Sequence, residues 1–401
     1  MKAVRLAASA AERLHPFTET RAKTMIQVAG RPIMERMAVA LGKAGVTELL
    51  IVVNHQREGI ESYFGHGHEF GLSIEYVLQD PVDGIGAGVR RCEPALGGKE
   101  FLLVYGDVLA TGPIFETLMG QYVESGGAAA AISLPASSLE FGNVYLNRDM
   151  KIVELVEKPT DPHLSNYVFA GAFVLPHSFL KLLDKHGNDI EHCYQDMIKE
   201  GALSGAIWDG GWIDVRRPWD ILEANRLIMG LWEQGEIHQS VKMEGHVEIE
   251  GPVHIEQDVV IASGSVLKGP CHIGRGSYIG NNTLIREYSS LGPQCVVGYG
   301  TELKNCVLFG STVLGRLSYI GDSVIGERAH LGTGVTTVNF DRAQPIVHVD
   351  TAEGRISTGM PKVGAFIGDD AYLGARQVLA PGTRIKAGQV VEDLVTLRST
   401  I

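Results

Sequence analysis

Cysteine is scarce and forms no pattern. The 401 residues hold five, Cys92, Cys193, Cys271, Cys295 and Cys306, with no CxxC pair. An odd, scattered set excludes a disulfide framework and a CxxC zinc site, and points to a reducing, cytoplasmic setting. Long apolar runs are also missing. No stretch reaches the roughly 18 residues that a transmembrane helix requires. The apolar start from Val4 to Ala8 gives way to Glu12 and Arg13, too short and too polar for a signal peptide. Basic charge is in deficit, with 35 Lys and Arg against 47 Asp and Glu, a net charge of −12. That excludes nucleic acid as the main partner but leaves room for a local basic pocket. The chain is about twice a common domain length, so two domains are expected. Glycine, by contrast, is abundant at 49 residues.

Much of that glycine falls in a repeat. Ile249, Ile255, Ile261, Leu267, Ile273, Ile279, Ile285, Leu291, Val297 and Leu303 recur every six residues. The period slips at Leu308, resumes at Leu314 and Ile320, and returns at Ile367, Leu373, Leu379, Ile385 and Val391. Six residues make one short strand and one tight turn, and three such units close a triangular coil. The aliphatic side chains point inward and stack coil on coil, with Gly or Asn expected at corners that need φ > 0. The pattern resembles the hexapeptide left-handed parallel β-helix, a fold that buries its face by long stacking and subunit association. Asn339 to Lys362 breaks the period and reads as a loop excursion.

The N-terminal half has a different rhythm. Strands are predicted at residues 2–8, 48–54, 74–79 and 101–108, with a helix at 32–44. This alternation predicts a mostly parallel α/β sheet, in which ligands bind beyond the carboxyl ends of the strands. The expected division is a nucleotidyltransferase-like domain at 1–230, a linker at 231–245 and the β-helix at 246–401.

The opening KAVRLAASAAERLHPFTETRAKTMIQVAG (residues 2–30) resembles the sugar-1-phosphate nucleotidylyltransferases. With the β-helix behind it, the whole chain resembles the two-domain uridylyltransferase/acetyltransferase type. The resemblance implies joining a nucleoside triphosphate to a sugar 1-phosphate with release of pyrophosphate. It assigns Arg13 and Lys23 to catalysis, Asp107 and Asp214 to Mg²⁺, and Ala8, Ser9, Gln79 and Gly84 to the nucleotide. Gly142, Glu157 and Lys158 fall to the sugar. Arg286, Lys304, Arg316, Tyr319 and Asn339 form the acetyltransferase-like pocket. It also implies a homotrimer, with no membrane or nucleic-acid partner.

The departures from the family pattern are specific. The signature LAAG-x-G-x-RL reads Leu6-Ala7-Ala8-Ser9-Ala10-Ala11-Glu12-Arg13-Leu14, without either glycine. Ala11 places a Cβ where the loop is expected to be left-handed. Ile85 stands in place of a threonine at the base site, and Phe169 in place of an asparagine near the sugar. Arg316 occupies the position of the acetyltransferase histidine, and a guanidinium cannot accept a proton at neutral pH. Three readings follow: an active nucleotidylyltransferase with a silent acetyltransferase half, a ligand-binding regulatory paralogue, and an acyltransferase. The first is preferred, because the charged residues that would carry phosphoryl transfer are retained.

Overall fold

The structure is a computed structural model describing residues 1–54, 56–134, 141–156 and 167–393. The chain folds into two compact units. One comprises residues 1–10, 22–25 and 33–214; the other comprises 11–21, 26–32 and 215–401.

The first unit is built on a sheet of nine strands. Those that position the site are β1 (Lys2–Leu6), β2 (Glu48–Val53), β3 (Ser73–Leu78) and β4 (Phe101–Val104). They lie side by side in the order β4-β1-β2-β3, all parallel. A fully buried hydrophobic run such as Leu49 to Val53 suits a parallel strand covered on both faces. The expected strand 101–108 is instead two pieces. β4 ends at Val104, and β5 (Val108–Ala110) leaves the main sheet to pair antiparallel with β6 (Trp212–Asp214). Gly106 makes the break possible: a Cβ there would lie 2.0 Å from the Leu6 carbonyl oxygen. Asp107 is therefore presented from a turn.

In the second unit, parallel strands of two to three residues stack into three ladders of eight, eight and seven strands, consistent with a left-handed β-helix. The registers Ile255↔Ile273, Ile261↔Ile279 and Leu267↔Ile285 each step by one coil of three hexapeptides. The stacked aliphatics form one buried column. The step from Ile325 to Ile367 spans the expected excursion, which contains an antiparallel hairpin, His348–Thr351 with Gly354–Ser357.

Two expectations need correction. Glu236–Ile237 and Lys242–Met243, within the expected linker, already belong to the ladders. The corners are also not reserved for Gly and Asn. Asp258, Gln294, Ser311, Leu317, Arg328, Asp370 and Arg376 take φ of 56 to 60°. Each such residue costs about 1–2 kcal/mol, which the regular ladder around it offsets. Among the described residues, no helix is long and apolar enough to cross a membrane.

Candidate active site

The first unit holds a cavity of about 250 Å³ at the carboxyl ends of its parallel strands. Its wall includes Ala8, Ser9, Lys23, Gln79, Gly84, Ile85, Gly106 and Asp107. The residues after β1, after β3 and after β4 thus converge, as the topology demands. Asn54 fixes the first of these segments by donating its amide to the Ala8 carbonyl oxygen at 2.6 Å. Gln79 is buried and donates to the Gly84 carbonyl oxygen at 2.8 Å and to Asp83 at 3.0 Å, which holds the β3 loop.

Charge in the cavity is concentrated on one pair. Lys23 Nζ donates to Asp107 Oδ2 at 2.8 Å. Burial alone would raise the Asp107 pKa. The Lys23 charge and hydrogen bond, a local backbone N–H and the Arg5 guanidinium outweigh it and hold the carboxyl below its usual range. Asp214, at the end of β6, lies opposite Val108, the neighbour of Asp107. The structure brings together Lys23 and Asp107, to which the sequence reading gave separate roles. That reading missed Thr24 and Tyr105, which also line the cavity, and the buried Arg5 on β1. A charge inside the apolar string KAVRL was the available signal for Arg5.

Arg13 does not line this cavity. It belongs to the second unit, where its Nε donates to Glu353 Oε1 at 2.6 Å. The segment 11–21 is anchored in that unit throughout. Phe17 packs edge-on against Phe309 at 5.5 Å, Arg21 pairs with Asp369 and Glu327, and Arg384 donates to the His15 carbonyl oxygen at 2.7 Å. Ala11, where this segment begins, has φ 49° and ψ 48°, the left-handed geometry anticipated from the missing glycine.

Of the sugar residues, Gly142 is half-buried beside the strand Asn143–Leu146, whereas Glu157 and Lys158 lie outside the described residues. Phe169 packs in an aromatic cluster with Phe173 and Tyr194, at 5.1 and 5.6 Å.

Of the acetyltransferase-like residues, Lys304, Tyr319 and Asn339 gather in the second unit around Asp322, which is fully buried. Asn305 and Asn339 each donate to its carboxylate at 2.6 Å, and Lys304 lies 3.9 Å away. Asn339 also donates to the Tyr319 hydroxyl at 3.2 Å. Arg286 pairs with Glu302 at 3.1 Å. Arg316 is exposed at a corner. The cations expected to meet a sugar phosphate thus already face local carboxylates.

A twisted parallel sheet with a Lys–Asp pair at its carboxyl edge, followed by a hexapeptide β-helix, defines a two-domain nucleotidyltransferase architecture. The chain belongs to the sugar-1-phosphate nucleotidyltransferase family. The Nucleotidyl transferase profile matches residues 2–229, and the GMPPB C-terminal domain profile matches residues 267–341. The bifunctional protein GlmU of Methanocaldococcus jannaschii is 31% identical over 96% of this chain and 92% of its own. The bifunctional sugar-1-phosphate nucleotidylyltransferase/acetyltransferase of Sulfurisphaera tokodaii is 30% identical over 96% of this chain and 94% of its own. The fold also matches a UDP-glucose pyrophosphorylase of Acinetobacter baumannii, with a TM-score of 0.51 and 21% identity over 56% of this chain and 91% of that one.

Proposed function

We propose that the chain is an active nucleotidylyltransferase that couples a nucleoside triphosphate to a sugar 1-phosphate and releases pyrophosphate. The observation that carries this reading is the Lys23–Asp107 pair at 2.8 Å in the wall of the cavity. Attack of the sugar phosphate on the α-phosphorus builds negative charge on equatorial oxygens, and a fixed ammonium beside them lowers that barrier. Lys23 would exchange its hydrogen bond from Asp107 to those oxygens. Ala8, Ser9, Gln79 and Gly84 would hold the nucleotide, and Gly142, Glu157 and Lys158 the sugar. By resemblance, Arg13 would hold the triphosphate.

Asp107 and Asp214 are the residues that would hold Mg²⁺. Among the described residues, no group of three or more His, Cys, Asp or Glu side chains could hold a metal ion. Mg²⁺ does not require one, because it commonly uses one or two carboxylates and takes its other ligands from water and phosphates. When bound, it would neutralise phosphate charge. In this reading the β-helix is a scaffold without acetyltransferase activity. It also carries an outward column, Tyr278, Val296, Val313, His330, Tyr372 and Val390 in register, that supports association into a trimer.

The test is pyrophosphate release with Mg²⁺ across a panel of nucleoside triphosphates and sugar 1-phosphates, with Asp107→Ala as control. Release that disappears in the control supports the enzyme. Binding of nucleotide without release by the folded protein supports the regulatory reading, which the Arg13–Glu353 pair favours.

A further inference from the structure

Arg5 is the one residue of β1 whose chemistry conflicts with its place. It sits on the strand between β2 and β4, in register with Ile51 and Val104, and is fully buried. Burying a guanidinium without a full set of acceptors is expensive. Its Nη2 donates to the Gly106 carbonyl oxygen at 3.1 Å and to the Val108 carbonyl oxygen at 3.5 Å. Its Nε and Nη1 have no hydrogen-bond partner among the described residues. Burial pushes its pKa down to about 10, so the group remains a cation at neutral pH, and it acts electrostatically on Asp107. The two accepting carbonyls flank Asp107 in sequence. Val108 is also the residue that pairs with Asp214. An apolar side chain would fill this position at lower cost, so the charge needs a reason beyond packing.

We propose that Arg5 is a positioning residue. Its buried guanidinium braces the Gly106–Asp107–Val108 turn from beneath, fixing Asp107 against Lys23 and setting the register at which Asp214 stands opposite Val108. The catalytic consequence rests on the nucleotidyl-transfer reading; the brace itself does not. Arg5 would not touch substrate. Its effect passes through the carbonyl oxygens on either side of Asp107, so its loss alters the orientation of the carboxylate more than the binding of nucleotide.

The experiment compares the full-length protein with Arg5→Met and Arg5→Lys. The first readout is hydrogen exchange without substrate, comparing residues 104–110 with 48–53. In Arg5→Met the turn is expected to exchange about tenfold faster while β2 is unchanged. The second is the kinetics of pyrophosphate release. Arg5→Met is expected to lower kcat by about tenfold or more, with KM for the triphosphate within about threefold, and Arg5→Lys to recover part of the loss. Unchanged exchange and kcat in Arg5→Met overturn the proposal. A loss matched by equally faster exchange throughout the sheet also overturns it, because that is a purely structural role. If Arg5→Met does not fold, Arg5→Lys is compared with Arg5→Gln, which keeps a donor and drops the charge. Lys is then expected to retain several-fold more activity and slower exchange at the turn, and equality of the two overturns the brace. If the unsubstituted protein releases no pyrophosphate with any pair, the nucleotidyl-transfer reading fails, and the exchange measurements alone decide the role of Arg5.

Discussion

Arg13 Nε and Glu353 Oε1 are 2.6 Å apart across 340 residues of sequence. Glu353 also accepts from Arg217 at 3.3 Å. The arginine assigned by family resemblance to the triphosphate is thus held by a carboxylate on the hairpin that interrupts the β-helix. Both side chains are partly exposed, and such pairs are weak and screened by salt. Glu353→Gln is expected to tighten binding of a nucleoside triphosphate by a few-fold in titration calorimetry, most clearly at low salt. Unchanged affinity, with a lowered melting temperature, would make the pair an anchor for the segment 11–21 and remove Arg13 from the nucleotide site.

Ala11 gives a second handle on the same loop. At φ 49° its Cβ costs about 1–2 kcal/mol, and glycine would relieve that at an entropic cost of roughly 0.5–1 kcal/mol. Ala11→Gly is therefore expected to shift the melting temperature only slightly upward. Combined with Ser9→Gly, it should raise the rate of pyrophosphate release more than it changes affinity for the sugar phosphate. No gain in rate from the double variant would show that the loop is not the limiting element.

The repeat was legible because a strict period has one physical solution: every sixth aliphatic must point inward, and it does, from Ile255 to Leu303. Lys23 and Asp107 were singled out one by one through resemblance; their pairing was not, since 84 residues separate them and no local pattern links them. Three further features were not legible. The break in the strand 101–108 depends on the approach of Gly106 to the backbone of β1, a tertiary contact. The left-handed corners at Leu317 and Arg328 contradict local preference, because the ladder outweighs it. The engagement of Arg13 by Glu353 depends on a hairpin for which the sequence offered only a broken period.

Asp220 provides a pH signature. Its carboxylate accepts from the backbone N–H groups of Arg216 and Arg217 at 2.8 and 2.6 Å, yet burial outweighs them and raises its pKa to about 7. An acid whose pKa is raised on folding binds its proton more tightly in the folded state. Its contribution to stability is therefore full below the unfolded value near 4 and is lost as pH rises toward 7. Asp220→Asn keeps an acceptor oxygen and removes the titration. Urea midpoints at pH 5 and pH 8 should differ less in Asp220→Asn than in the parent, and the variant should be the more stable at pH 8. An equal pH dependence in both proteins would contradict the assignment.

The five cysteines should be inert. All are buried and free; burial pushes Cys92, Cys271, Cys295 and Cys306 up to about 12 and Cys193 to about 11. Thiolate, the reactive form, is then negligible at neutral pH. Titration with a thiol reagent should detect essentially none in the native protein and all five after denaturation. Rapid labelling of one residue in the native state would reveal local opening around it.

The last prediction concerns the β-helix cluster at Asp322. Restoring a histidine at the exposed corner by Arg316→His supplies a base of suitable pKa, but it does not free the cations that a sugar phosphate needs. Lys304 remains 3.9 Å from Asp322, and Arg286 remains 3.1 Å from Glu302. Displacing Arg286 would cost Glu302 its ion pair, and displacing Lys304 would take from the fully buried Asp322 one of its two cations, the other being Arg226 at 3.6 Å. Neither the parent nor Arg316→His is therefore expected to release thiol from acetyl-CoA with glucosamine 1-phosphate, and calorimetry should find that sugar phosphate bound to this unit more weakly than about 1 mM. Acetyl transfer appearing on the single substitution would show instead that the missing histidine was the only defect, and that Lys304 and Arg286 exchange their carboxylate partners for substrate at little cost.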